Sequence, residues 1–373
     1  MKILHTISSI GVKSGGTSSA VYAMLHGIRD YNVKVLSYEL ANEDHLPGNN
    51  LVIDFVPANQ NRFAYSSAYK KSLIQSDANI FHSHGLWQYT QYATSRVARK
   101  KGIPYIITPH GMLYPEALNH SKFQKQLFLK MFLLNDLNKA TAIHVTSKEE
   151  MKHIRNLGVK TPIAIVPNPV INVVVEEQIQ SKEKIRFGYL GRVHPRKNIE
   201  RLLYVWSNLA EKVSDSELVV IGEGDDEYMS FLKKETERLS LKNVVFPGFL
   251  SGKEKEDTLN SLSYLAVPSD FENFGMIIPE ALQLGIPVIA SKGTPWEELN
   301  THQCGWWVDN DVDTLTQIME NTLQISDEER IAMGERGKAL VNKNYSVEVV
   351  TDKMTRLYDW ILNKGKKPEF VFL

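Results

Sequence analysis

The feature that most constrains this chain is a repeated alternation. Short runs rich in β-branched and aromatic residues are each followed by a longer stretch with apolar residues three and four apart. This pattern specifies parallel βα units, because consecutive parallel strands need a crossover and the crossover is usually a helix. In the first half, strands are predicted at KILHTIS, NVKVLSY, NIFHSHG, YIITPHG and AIHVTS; in the second, at IRFGYLG, ELVVIGEG, NVVFPGF, YLAVPS and IPVIAS. Ser19–Tyr31 and Ile199–Val213 carry helical spacing between such runs. The second series is a fresh start, and 373 residues suffice for two doubly wound α/β domains. The predicted boundaries are 1–170 for the first domain, 171–184 for a linker, 185–345 for the second domain and 346–373 for a terminal segment. In that segment Val349, Val350, Met354, Leu357, Trp360 and Ile361 share one helical face.

Composition narrows the setting. The opening MKILHTISSIG has one lysine and an apolar stretch broken by His5, Thr6 and Ser8, so it reads as a first strand rather than a secretion signal. No apolar run approaches the roughly 18–20 residues that span a bilayer. A single cysteine, Cys304, excludes an internal disulfide framework and suits a reducing compartment, so a cytoplasmic location is expected. Net charge is zero, which argues against a nucleic-acid binder. That zero hides a division: residues 1–170 hold 19 Lys and Arg against 10 Asp and Glu, leaving −9 for the remainder. A basic first half suits an anionic partner such as phospholipid headgroups or a lipid-linked phosphate, and equally solvated faces.

Three places carry candidate chemistry. Gly15-Gly16 follows the first predicted strand and precedes a helix, where backbone N–H groups can meet a phosphate; neither a Walker pattern nor GxGxxG is present there. GYLGRVHPRKN opens the second domain, and its Arg192 and Lys197 flank a strand-to-helix turn where two cations can clamp a diphosphate, with Arg196 as a surplus cation. In IGEGDDEY the acids Asp225 and Asp226 argue against phosphate contact by Gly222 and Gly224; that loop is expected near a base or as a plain turn. PSDFENFGMIIPEALQLGIPVIAS is the densest signal. Glu272 and Glu280 flank Phe274-Gly275 and a helix start, and carboxylates are strong paired acceptors for sugar diols. A retaining glycosidase also uses two carboxylates, but has no use for the Arg192 and Lys197 pair.

Taken together, GRVHPRKN and PSDFENFGMIIPEALQLGIPVIAS resemble the signature of family 4 glycosyltransferases, retaining enzymes of the GT-B fold. The likeness continues through Gly15-Gly16, HSHG, TPHG, HVTS, VPNP, VVIGEG, FPGFLS and the terminal helix. GTPWEEL and PHGML look closest to the bacterial branch that builds surface polysaccharides such as lipopolysaccharide O-antigens. The resemblance implies two Rossmann-like domains facing a cleft, with the terminal helix crossing back to the first. It implies a nucleotide-sugar donor held by the second domain and an acceptor held by the first. Arg192 and Lys197 would then hold the diphosphate, Glu280 the ribose, Glu272, Asn273, Phe274 and Gly275 the donor sugar, and Phe249 and Leu250 the nucleobase. Gly16, beside Gly15, would lend its amide to the distal phosphate. His110, after YIITP, would approach the donor sugar near the reacting carbon; His84 could line the same cleft, while His82 is expected to alternate away and pack.

No Asp-x-Asp motif stands where it could hold a divalent ion, so no metal and no cofactor is expected, only a substrate linked to UDP or GDP. Front-face displacement with retention is the chemistry the resemblance implies. An epimerase, a hydrolase or a noncatalytic nucleotide-sugar binder would keep the same donor residues. Two departures stand out: Asn168-Pro169 where the family has Asn-Gly, and KGTPWEEL, whose Trp296 is expected to reshape the surroundings of the donor sugar. Finally, Lys122–Ala140 mixes lysines with large apolar residues. It is either a core helix with a basic outer face or a dock for the anionic inner leaflet, and exposure of Phe123, Leu127 and Met131 decides between them.

Overall fold

A computed structural model describes residues 1–11, 15–39, 51–59, 61, 63–119, 122–171 and 184–373. The chain divides into two compact units, Met1–Ile171 with Ser346–Leu373, and Asn172–Tyr345. The expected linker lies, but for its ends, outside the described residues.

The first unit is built on β1 (Lys2–Thr6), β2 (Asn32–Tyr38), β3 (Val52–Val56), β4 (Ile80–His84), β5 (Tyr105–Thr108), β6 (Ala142–Val145) and β7 (Ile163–Ile165). The second contains β8 (Arg186–Leu190), β9 (Glu217–Ile221), β10 (Val244–Gly248), β11 (Tyr264–Val267), β12 (Val288–Ser291) and β13 (Gly305–Val308), and the chain ends with β14 (Val371–Phe372) in the first unit. Sheet order is β14-β7-β6-β5-β4-β1-β2-β3 in the first unit and β10-β9-β8-β11-β12-β13 in the second. Every strand pairing is parallel except that of β14 with β7.

Successive strand residues in the first unit serve opposite faces, as a period of two demands. Leu4, Phe81 and Ile107 join one buried cluster, while their neighbours Ile3, Ile80 and Ile106 join another. Both faces are therefore covered, which is why these strands read as nearly continuous apolar runs. The helix Gly16–Gly27 and the terminal helix Val347–Ile361 cover the second face, and Val21, Met24 and Leu25 share its cluster with Val350, Met354 and Leu357. Gly27 permits the close crossing: a Cβ there would lie 2.4 Å from Thr351 Cγ2. Ser346 starts the terminal helix by accepting from the Val349 amide at 3.3 Å.

In each sheet the chain leaves its first strand in both directions. Strand order reverses between β1 and β4 in one unit and between β8 and β11 in the other. In open α/β sheets, ligands bind beyond the carboxyl ends of the strands at such a point.

Candidate functional site

Most candidate residues of the second unit lie on the loops after β8 and β11, with Glu280 on the helix that follows the second loop and Phe249 and Leu250 after β10. Gly191, Arg192 and Val193 leave β8 and pack against the loop after β9: the Val193 amide donates to the Glu223 carbonyl at 2.8 Å. That approach explains the GEG motif. A Cβ on Gly222 would sit 1.9 Å from the Gly191 carbonyl oxygen, and one on Gly224 equally close to that of Val193. Asp225 caps the next helix by accepting from the Tyr228 amide at 2.9 Å. The motif therefore sets the shape of the Arg192 loop. Arg192 is exposed, and its guanidinium has no partner among the described residues.

Lys197 ends a short 3₁₀ turn, Pro195–Lys197, and its ammonium is ion-paired with Glu272, with both side chains mostly buried. Ser269 Oγ donates to the same carboxylate oxygen at 2.9 Å. Asn198 ties the two loops from below, donating to the Pro268 carbonyl at 2.9 Å and to Asp270 at 2.6 Å. Glu280, on the helix Ile277–Gln283, pairs with Lys255 at 2.7 Å, a partner that no local sequence signal marks. Gly275, at φ +75°, makes the turn into that helix. Asn273 sits half-buried beside it. Phe249 is half exposed after β10, next to Leu250.

Trp296 lies in the core beside the Phe274-Gly275 turn. It is 1% exposed, packs against Phe274 and Tyr345, and its indole N–H donates to the Phe274 carbonyl. It thus shapes the Phe274-Gly275 turn from beneath.

In the first unit, Gly15 at φ +81° precedes the helix Gly16–Gly27, and both glycines are exposed. The first turn of that helix carries no acidic side chain, so among the described residues no carboxylate of its own offsets the partial positive charge of the helix start. Beyond β5, His110 takes the left-handed conformation at φ +52°, unusual for a residue with a Cβ. The following turn is held by Glu150, a buried carboxylate that accepts from the Gly111 amide at 2.6 Å and from the Thr146 amide at 2.9 Å.

His110 and His84 come together, with His84 Nδ1 3.1 Å from His110 Nε2. His82 does not turn away from them, contrary to the expectation. Residues two apart on a strand share a face, and the His82 and His84 rings stack with centroids 4.4 Å apart. His5 of β1 and His144 of β6 complete a group of five histidines, with Tyr358 from the terminal helix among them. Burial pushes His5 and His110 down to about 3 and His144 to about 4, and holds His82 and His84 well below the usual imidazole range. His5, His82 and His84 bring ring nitrogens within 4.8 Å of one another, as a metal site would, but hydrogen bonds inside the group already use them. Alternation along single strands could have grouped His82 with His84. The contributions of Tyr358, Glu150 and Lys255 depend on contacts distant in sequence.

The segment Lys122–Asn138 is helical, with a π-helical turn at Leu129–Leu133. Leu129, Leu133 and Leu137 are buried, but Phe123, Leu127 and Met131 are 81%, 52% and 58% exposed and recur every four residues. An apolar outer stripe thus stands where a basic face was the alternative. Among the described residues no helix is long and apolar enough to cross a membrane.

Comparison with known proteins matches the two halves separately. Residues 14–171 match the model described as Glycosyltransferase Family 4, and residues 174–340 that described as Glycosyl transferases group 1. An uncharacterized glycosyltransferase of Methanocaldococcus jannaschii is 26% identical over 92% of this chain and 94% of its own. A GDP-mannose-dependent monoacylated alpha-(1-6)-phosphatidylinositol monomannoside mannosyltransferase of Corynebacterium glutamicum is 29% identical over 45% of each chain. Among solved structures, HepE of Anabaena in complex with UDP and glucose superposes with a TM-score of 0.76 at 18% identity, covering 96% of this chain and all of that one.

Proposed function

This chain is a glycosyltransferase of the GT-B type, and from that premise we propose that it moves a hexose-type sugar, with retention, from a UDP- or GDP-linked donor. The acceptor is a saccharide or lipid-linked saccharide, and the setting is bacterial surface-polysaccharide synthesis. One observation carries the reading: in each unit, candidate residues stand beyond the carboxyl ends of the two strands between which strand order reverses, β8 and β11 in the second and β1 and β4 in the first. Lys197, Glu272 and exposed Arg192 stand there in the second unit, Gly16 and His84 in the first, with His110 one strand along after β5 and 3.1 Å from His84.

In the proposed reaction the bond from the anomeric carbon to the distal phosphate breaks, and its electron pair leaves with the diphosphate. The acceptor oxygen bonds to that carbon on the same face and gives its proton to a departing phosphate oxygen. Arg192, Lys197 and the Gly16 amide stabilise the growing charge electrostatically, without a metal ion. Glu280 accepts from the ribose, with Phe249 and Leu250 by the base; Glu272 and the Asn273–Gly275 turn accept and donate at the donor sugar. The surface-polysaccharide setting rests on the likeness of GTPWEEL and PHGML. A lipid-linked acceptor is supported by the apolar stripe of Phe123, Leu127 and Met131 together with the basic first half, a combination suited to the inner face of an anionic membrane.

The test is nucleotide release from a panel of UDP- and GDP-sugars, with and without saccharide acceptors and vesicles of anionic lipid carrying lipid-linked saccharide. Release that needs an acceptor, rises on the vesicles and yields a product of retained anomeric configuration is expected. Acceptor-independent release would make the protein a hydrolase, and inversion would exclude front-face displacement.

A further inference from the structure

The buried histidines of the first unit form one continuous chain of hydrogen bonds, and its direction can be read from a fixed end. His144 Nε2 lies 2.8 Å from the Val166 carbonyl, which can only accept, so His144 carries its proton on Nε2. A neutral His144 then accepts at Nδ1, where Thr108 Oγ1 stands at 3.0 Å and must donate its one hydroxyl proton. Thr108 therefore accepts from His82 Nε2 at 2.7 Å. His82 Nδ1 then accepts from the Tyr358 hydroxyl at 2.9 Å, which obliges Tyr358 to accept from His5 Nε2 at 3.2 Å. His5 Nδ1 accepts from His84 Nε2 at 2.9 Å, and His84 Nδ1 from His110 Nε2 at 3.1 Å. Each hydroxyl has one proton and each neutral ring one N–H, so every choice is forced by the one before. All five rings are then the Nε2–H tautomer. The chain crosses β6, β5, β4 and β1 and passes once through the terminal helix.

We propose that this chain sets His110 as the Nε2–H tautomer, with its Nδ1 lone pair presented as an acceptor for a sugar hydroxyl, and that His144, Thr108 and Tyr358 are the positioning residues that set it. His110 is half-buried, whereas the other four rings are buried, and its Nδ1 has no partner among the described residues. Its left-handed backbone is the local feature that turns the ring toward His84. At its far end the chain stops on a carbonyl, which carries no proton away. It therefore fixes polarity and does not drain protons to solvent. The sugar hydroxyl rests on the function proposed above; the tautomers do not.

Long-range 15N–1H spectra of the histidine rings at pH 7.5 test this on the full chain. Five Nε2–H tautomers are expected. Tyr358→Phe cuts the chain between His82 and His5, so His144 and His82 should keep their tautomer while His5, His84 and His110 become mixtures. Thr108→Ser keeps the hydroxyl and should leave all five unchanged. With a competent donor, Tyr358→Phe should lower kcat by about tenfold, the effect of one misdirected hydrogen bond, with nucleotide-diphosphate affinity unchanged. An Nδ1–H signal from His110 in the wild type, equal disturbance of His144 and His110 in Tyr358→Phe, or a stoichiometric metal on the purified protein's histidines would overturn the proposal. Correct tautomers in a protein that binds no nucleotide sugar would leave the chain standing and remove only its substrate.

Discussion

The two units place polar groups at the same topological point by opposite means. In the second unit the groups are charged and paired, Lys197 with Glu272 and Lys255 with Glu280, with Arg192 left exposed. In the first they are neutral rings and backbone amides, aligned by hydrogen bonds that end on a carbonyl. The difference follows from burial. Ion pairs near the surface keep part of their hydration, whereas a cationic ring inside the first unit would have no carboxylate partner among the described residues and would lose its water. Charge suits the binding of a diphosphate, and a fixed neutral acceptor suits a hydroxyl.

Acid should break the comparison most visibly. In the unfolded chain each of these histidines takes up a proton near pH 6.5, whereas folded His5, His110 and His144 resist until about 3 to 4, and burial holds His82 and His84 well below the usual range. The unfolded state thus binds more protons throughout that window, and stability must fall as pH is lowered through it. Each fully buried ring contributes up to about 1.4 kcal/mol per pH unit. Urea denaturation should show the midpoint dropping steeply from pH 6.5 to 4.5; a flat profile would mean that the rings are not buried as neutral species.

A smaller effect is expected in the second unit from Lys197→Ala. It strands a mostly buried carboxylate, costing about 2 kcal/mol in thermal unfolding. Turnover should fall further, by about 100-fold. Unchanged turnover would remove Lys197 from the site and leave its pair with Glu272 merely structural.

Much of this organisation was legible in the sequence, because the period-two alternation and the turn glycines are local signals. Ten strands were foreseen where strands occur. The strands at Val52–Val56, Ile163–Ile165, Gly305–Val308 and Val371–Phe372 were missed, being short or at sheet edges, where burial gives the weakest pattern. Arg192, Lys197, Glu272 and Glu280 stood out because they cluster within two short stretches of sequence. Tyr358 did not: in the sequence it is one more aromatic on an amphipathic helix, and only tertiary packing brings its hydroxyl to His82 and His5. The burial of Trp296 is hidden for the same reason, since its loop position gives no periodic signal for a core ring.

The most direct test of the account is calorimetric binding of UDP, GDP and ADP, with and without chelator, to the wild type and to Arg192→Ala and Glu280→Ala. One diphosphate should bind regardless of chelator, with affinity lost by about tenfold or more in each variant, the scale of one charge-assisted contact. Binding of none of the three, or full affinity in both variants, would contradict the claim that these loops hold a nucleotide diphosphate.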